Sequence, residues 1–368
     1  MQMQNANTQT KPSILHCRPS QARRSSGDDF SLPLPSHVKS ITSPSNPFVK
    51  HCLKLRHSSS YRHSHASALV LGTTPIREIS RYQELIRERP TTMECLLLLD
   101  GAEVPKGLGD SSNRIVRVSS MVMKKLAGVQ SIDSIEAIAL MRIPTSFCNV
   151  DDNHKEANCQ SWFPSPHRIL VLDGIQGIFE PFILPTIHES SSLQDPGNLG
   201  TLLRSAMAFR WGGAFLLPGC CDPFNEKALR AARGASFQLP IVSGNWVHLE
   251  ALRNKFQMKM LAGHPESTEE PKLSSSLSQK FADSLADKAL CLVLGSEGHG
   301  LSEQSRRACE LDLLKERSKT RFQTGLVAGC AARNQVETEL DLVDLSFFPG
   351  LKLATKYMGV RTSDSALS

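Results

Sequence analysis

No acidic residue stands before Asp28, and none stands between Phe30 and Arg77. The ten cysteines show no CxxC spacing, and only Cys220 and Cys221 are adjacent. This excludes the usual zinc spacings and a secreted disulfide framework, so no metal site is expected and the thiols read as reduced and intracellular. Long apolar runs are also missing. "CLLLL" and "ALCLVLG" fall far short of the ~20 residues that cross a bilayer, so the sequence reads as soluble, with no membrane partner. What remains is ordinarily globular. The 368 residues are 40% hydrophobic and 21% charged, enough for two domains with separate cores. The net charge of +6 permits a polyanionic partner without requiring one.

Residues 1–36 are rich in Ser, Pro, Gln and Asn and carry Lys11, Arg18, Arg23 and Arg24. Basic, serine-rich and poor in acid, they read as an organellar transit peptide, with a disordered tail as the alternative. The many serines and modest arginine content point to a chloroplast, with the mitochondrion as the alternative. In the acid-free stretch that follows, Lys39, Lys50, Lys54, Arg56 and Arg62 accumulate among histidines. Val49, Leu53 and Leu55 are interleaved with them, which suits a short amphipathic helix after Pro47. Such a helix offers charge to phosphate oxygens; a solvated basic face without a ligand is the plainer reading.

Residues 37–145 then alternate. "SALVLGT", "ECLLLLD", "NRIVRVS" and "EAIALMRIP" read as strands, "REISRYQELIRER" and "SMVMKKLAG" as helices, the latter ended by Gly128. This is a small α/β domain. The polar stretch 146–167 reads as a linker. From 168 the chain alternates again: strand "HRILVLDGI", helix "NLGTLLRSAMAF", strand "GGAFLLPG", helix "NEKALRAARG" capped by Gly234, helix "HLEALRNKF", strand "MKMLAG". A last strand, "ALCLVLG", leads into the turn and helix "SEGHGLSEQSRRA". The continuous apolar strands predict a parallel, doubly wound sheet with ligands at the strand C-terminal ends.

Two turns carry the candidate chemistry. Gly295-Ser-Glu-Gly-His-Gly300 follows a buried strand, but its G-x-x-G-x-G order is not the dinucleotide fingerprint. It is either a site of close backbone approach to a ligand or a structural turn. In Asp195-Pro-Gly-Asn-Leu-Gly-Thr-Leu-Leu-Arg204, Asn198 reads as an N-cap. Leu199, Leu202 and Leu203 give the core face, and Arg204 should project away from it.

Together, "DPGNLGTLLRSAMAF" and "LVLGSEGHGLSE" resemble the first two motifs of the SpoU/TrmH family of RNA ribose 2′-O-methyltransferases, in the SPOUT superfamily. "EKALRAARGASFQLPI" is similar to that family's Arg-Gly-Ala-Ser segment. "ITSPSNPFVKHCLKLRHSSSYR…LVLGTTPIREI" is similar to the substrate-binding domain of its ribosomal-RNA members. The resemblance implies a SPOUT-type α/β domain with a trefoil knot, a homodimer, and methyl transfer from S-adenosyl-L-methionine to a ribose hydroxyl of RNA. Ribosomal RNA is favoured as substrate, with tRNA as the alternative. It implies that Asn198, Arg204 and Glu297 are catalytic. Leu261, Ala262, Gly263, Leu294, Gly295, Gly298, Gly300 and Leu301 would lie against the cofactor. Asn46, Lys50, Lys54, Arg56, Arg62, Arg230 and Arg233 would hold RNA. The family assigns the counterpart of Arg204 the role of base. A guanidinium of pKa above ~12 suits an electrostatic role better.

The sequence departs from the family in two places. The 18 residues Gly177–Gln194 interrupt what would otherwise read "LDGIQDPGNLG". After Gly300 there is no Ser-Leu-Asn, the core of the third family motif, so 311–368 reads as a divergent tail and the methyltransferase domain as 168–310. A divergent natural tail and an altered reading frame both account for this. Two functions follow: a methyltransferase, or an RNA-binding protein lacking a complete cofactor pocket.

Overall fold

The computed structural model describes residues 39–86, 92–108, 114–131, 135–150, 159–174, 196–263, 274–275, 288–296, 300–309 and 311–313. The leader, the 177–194 segment, Glu297, Gly298 and the tail beyond 313 lie outside them.

The first α/β unit is built on strands β1 (Ser40–Ile41), β2 (Ser67–Leu71), β3 (Met93–Leu99), β4 (Ile115–Val118) and β5 (Ala137–Arg142). Its helices are α1 (Pro47–His57), α2 (Ser59–His65), α3 (Thr73–Ile86) and α4 (Ser120–Ala127). The sheet order is β1-β4-β3-β5-β2, with β5 antiparallel to β3 and β2 and the remaining pairs parallel. The basic helix expected after Pro47 is α1. Asn46 caps it through Oδ1, which accepts the Phe48 N–H at 2.9 Å, and Pro47 fills the first position, where a missing N–H costs nothing. Phe48, Val49, Cys52 and Leu55 are buried beneath it, while Lys50 and Lys54 stay exposed. Helix α4 stops as expected, at Gly128 in the left-handed conformation.

The second unit is a parallel sheet of order β11-β13-β10-β12-β7-β8-β9-β6. Its strands are β6 (Phe147–Asn149), β7 (Arg168–Leu172), β8 (Gly213–Leu216), β9 (Ile241–Ser243), β10 (Lys259–Gly263), β11 (Ser274–Ser275), β12 (Leu290–Leu294) and β13 (Leu311–Leu313). Helices α5 (Pro196–Ala208), α6 (Glu226–Ala232), α7 (Trp246–Phe256) and α8 (Glu303–Ala308) complete it. Alternate strand residues feed two cores. Leu170, Leu172, Leu216, Leu261 and Leu294 pack under α5 and α6. Ile169, Val171, Phe215, Ala262 and Val293 pack under α7.

Several expectations are revised. Residues 146–167 hold more than a polar connection: Phe147–Asn149 pair in parallel with β9, and Trp162 and Phe163 are buried in the α7-side core. Asn198 is not the N-cap of α5, because the helix already begins at Pro196, whose fixed φ suits a first position. Arg233, not Gly234, takes the left-handed position that ends α6, at φ 47°. Leu311–Leu313, expected in the divergent tail, pair in parallel with β10. The expected knot falls on residues outside the described ones.

The two units share a dry interface. Phe224, Leu229 and Phe237 of the second pack with Val70, Ile76, Ile79 and Leu98 of the first. Beside this layer, Arg62 donates to Asp222 through Nε at 2.8 Å and lies 2.6 Å from it through its second nitrogen. Burial by itself raises the Asp222 pKa, but the His63 hydrogen bond and the Arg62 charge outweigh that and lower it from 3.8 to about 2. The folded value lies below the unfolded one, so the stabilisation is complete above about pH 4 and is lost as pH falls towards 2. Urea unfolding of wild type and Asp222→Asn should differ by on the order of 2 kcal/mol at neutral pH and converge as pH approaches 2. Parallel pH curves would exclude this carboxylate as the source.

Candidate functional site

Four strands end on one level. Leu172 is in register with Leu216 and with Leu294, and Leu294 with Gly263. The C-terminal ends of β8, β7, β12 and β10 therefore form one ledge. Strands β8 and β9 lie on one side of β7, and β12, β10 and β13 on the other. Open parallel sheets bind ligands in the crevice where strand order reverses in this way. Helix α5 follows β7 in the chain and Gly295–Gly300 follows β12, so both turns singled out in the sequence belong to this edge.

The described part of the second turn is held by its backbone. Ser296 N–H donates to the Gly300 carbonyl at 2.9 Å, and Gly300 N–H donates back at 2.8 Å. A Cβ at Gly295 would overlap the Gly300 carbonyl, and Gly300 has φ 71°. Both glycines are therefore dictated by geometry. Leu301 then drops into the α7-side core, and Ser302 caps α8 by accepting the Ser305 N–H at 3.2 Å.

Asp173, one residue beyond β7, organises this edge. Its carboxylate is 3% exposed and accepts the Ser302 N–H at 2.8 Å and the Ser305 hydroxyl. Its own N–H donates to the Leu294 carbonyl at 2.9 Å. One side chain thus ties the end of β7 to the residues leaving the glycine turn. Asp173 was absent from the expected site. The available signal was a carboxylate closing a five-residue apolar strand, a position that requires hydrogen-bond donors.

On the other flank, Leu199, Leu202, Leu203 and Ala206 of α5 are buried, and Gly200 meets α6 so closely that an added Cβ would overlap the Ala228 carbonyl. Gly200→Val should therefore lower stability by about 1–3 kcal/mol, as overpacking does. An unchanged thermal midpoint would refute the close approach. Asn198 and Arg204 are half-buried on α5. Arg204 does not simply project outward: burial first, and the Arg233 charge second, lower its pKa. Arg233 itself is exposed at the C-terminal end of α6, where the helix dipole favours a cation.

The cofactor candidates split. Leu261, Ala262, Leu294 and Leu301 are at most 2% exposed, their side chains spent on the two cores. What they and Gly263 can offer a ligand at the ledge is backbone. Glu297 and Gly298 lie outside the described residues.

The RNA candidates divide as well. Lys50, Lys54, Arg230 and Arg233 are exposed, and the Lys54 ammonium sits 5.3 Å from the centre of the Tyr61 ring. Asn46 is occupied as a helix cap, and Arg56 pairs with Glu226 at 2.6 Å. The expectation for Arg62 is corrected. At 2% exposure its guanidinium serves Asp222 and the carbonyls of Leu55 and Arg56, because a buried arginine must fill its donors inside the protein.

Residues 190–315 match the model of the SpoU rRNA Methylase family. The chain is 28% identical over 277 residues to an uncharacterized tRNA/rRNA methyltransferase of Synechocystis, covering 73% of this chain and 82% of that protein. It is 48% identical over 60 residues to the mouse mitochondrial rRNA methyltransferase 3, a match spanning 16% of this chain and 14% of the relative. The AdoMet-bound rRNA methyltransferase from Sinorhizobium meliloti superposes with a TM-score of 0.55 at 17% identity, covering 80% of this chain and 97% of that one. A likeness at that identity establishes the fold.

Proposed function

We propose that this protein, whose residues 190–315 match the SpoU rRNA Methylase family model, transfers a methyl group from S-adenosylmethionine to a ribose 2′-hydroxyl of RNA. The observation that carries the reading is the ledge formed by the level C-terminal ends of β8, β7, β12 and β10, with the Gly295 and Gly300 backbone closing the turn after β12.

The residues present fit the cofactor. The ends of β10 and β12 meet in register at Gly263 and Leu294 with the Leu261, Ala262 and Leu294 side chains buried in the cores, and Gly295 and Gly300 keep the turn free of Cβ atoms. These residues, with Gly298 and Leu301, would hold S-adenosylmethionine, and Glu297 would stand at the mouth of its pocket. When bound, it supplies a methyl group that is already electrophilic. The protein's task is then to bring the hydroxyl into line and stabilise the oxygen as it loses its proton. Arg204 clamps the nucleotide phosphate and stabilises the developing oxyanion, while the proton leaves through phosphate or water. Arginine is not deprotonated in proteins, so it acts by charge, not as base. Asn198, two turns earlier on the same helix, holds the ribose end of the substrate. Arg233 supplies the opposing contact to the phosphate.

The exposed Lys50 and Lys54 of α1 extend the RNA surface, on a helix without a carboxylate. The extra N-terminal unit and the rRNA methyltransferases among the relatives favour ribosomal RNA. The mitochondrial relatives support an organelle, and the serine-rich leader supports the chloroplast. A homodimer belongs to the same reading.

One observation favours a second reading, an RNA-binding protein without turnover: no Ser-Leu-Asn follows Gly300. Isothermal titration with S-adenosylmethionine distinguishes the two. Saturable binding, with transfer of labelled methyl into unmodified ribosomal RNA, supports the enzyme. RNA affinity without cofactor binding supports the binding module.

A further inference from the structure

Helix α6 has two ends with different neighbours. Its C-terminal end carries Arg233, whose charge acts on Arg204 of α5, and along its length Ala228 meets Gly200 of α5. At its N-terminal end and in the loop before it, Asp222 and Glu226 make charged contacts to α1 and α2 of the first unit, although Glu226 also pairs with Arg230 within α6. Asp222 receives Arg62, the Ser59 hydroxyl at 2.8 Å and His63 at 3.5 Å, and Glu226 receives Arg56 at 2.6 Å. His63 also stacks on Phe147 with ring centres 5.2 Å apart, and Phe147 meets Phe224 edge-on at 5.1 Å. The Asp222 and Arg62 side chains are only 8% and 3% exposed. A surface contact between loosely linked domains would leave such charges wet. Here they are desolvated and mutually satisfied, and the Phe224–Leu229–Phe237 layer lies beside them.

We infer that Asp222 is a positioning residue. It pins α1 and α2 to α6 so that the basic helix and the Arg204–Arg233 pair form one rigid RNA-gripping surface. This inference rests on the methyltransferase reading for its consequence, but not for the pin itself. Two RNA contacts held at fixed spacing engage a strand together. Without the pin the first unit can reorient about the short connection 143–146, and two contacts no longer held at one spacing lose part of their joint effective concentration.

The direction of the effect separates positioning from bulk electrostatics. Removing a carboxylate from a basic surface should strengthen RNA attraction, whereas loss of a positioning residue should weaken it. Asp222→Asn, tested with an unmodified large-subunit ribosomal RNA transcript, should raise the RNA KM roughly tenfold. Its kcat and its affinity for S-adenosylmethionine should stay at the wild-type value. Glu226→Gln, at the less buried Arg56 pair, should act in the same direction by roughly threefold and serves if the first variant does not fold. Scanning calorimetry without RNA reads the pin directly: wild type should unfold in one transition, and the variant should show the first unit melting separately. An RNA KM that is unchanged or lower in both variants overturns the inference, as do two transitions already present in wild type. A single wild-type transition that splits in the variant, in a chain with no affinity for RNA or cofactor, upholds the pin and overturns the methyltransferase reading instead.

Discussion

Arg204→Ala is expected to lower kcat for methyl transfer by about 10²–10³-fold, the cost typical of removing one preorganised donor from a developing oxyanion. Affinity for S-adenosylmethionine should hardly change, because Arg204 lies on α5 whereas the cofactor candidates lie on β10, β12 and the turn after β12. Arg204→Lys is the sharper comparison. Lysine keeps the charge but replaces a planar fork with a point. If the fork clamps phosphate and oxyanion together, the lysine variant should recover RNA binding but little of kcat. Single-turnover kinetics with labelled methyl donor make the measurement. Near-wild-type turnover by Arg204→Lys would sink the fork argument.

Asp173→Ala should have the second-largest effect, and on a different quantity. It removes the carboxylate that accepts from Ser302 N–H and the Ser305 hydroxyl, leaving two donors stranded beside a side chain that was 3% exposed. Losses of this kind cost about 1–3 kcal/mol for each buried group left unsatisfied. The strain falls where α8 leaves the glycine turn, so S-adenosylmethionine affinity should drop at least tenfold, in line with ~1.4 kcal/mol per decade, while RNA binding persists. Titration calorimetry and filter binding on the same preparation check both halves. Cofactor affinity equal to wild type would show that the turn holds its shape without Asp173. Asp173→Asn should fall between the two, since an amide still presents one acceptor oxygen.

These two residues show how unevenly the site could be read from the sequence. The resemblance singled out Arg204 because it follows an Asn and several leucines at helical spacing, within a motif that carries its own glycines. Asp173 was not legible, because its partners are 129 and 132 positions further along the chain. Arg62 misled for a related reason. In sequence it is one more base in an acid-free stretch, and only the fold brings Asp222, 160 positions away, against it. The strand Phe147–Asn149 escaped notice because three half-exposed residues have no usable periodicity. It exists because β9 offers an edge with free backbone groups.

By itself, the sequence determined the longer strands and helices and their order, the two glycine turns and the basic character of α1. Each is written in neighbouring residues: apolar periodicity, a cap, a φ that only glycine adopts readily. Only the tertiary structure decided which charges remain available to a ligand and which are used up in holding the fold. Burial makes that choice, since an ionised group removed from water must find its partners within the protein. No stretch of sequence states how deeply a residue will be buried or what will meet it there. Arg204 and Arg62 are the same side chain, yet one is half-buried on α5 and the other is enclosed against Asp222.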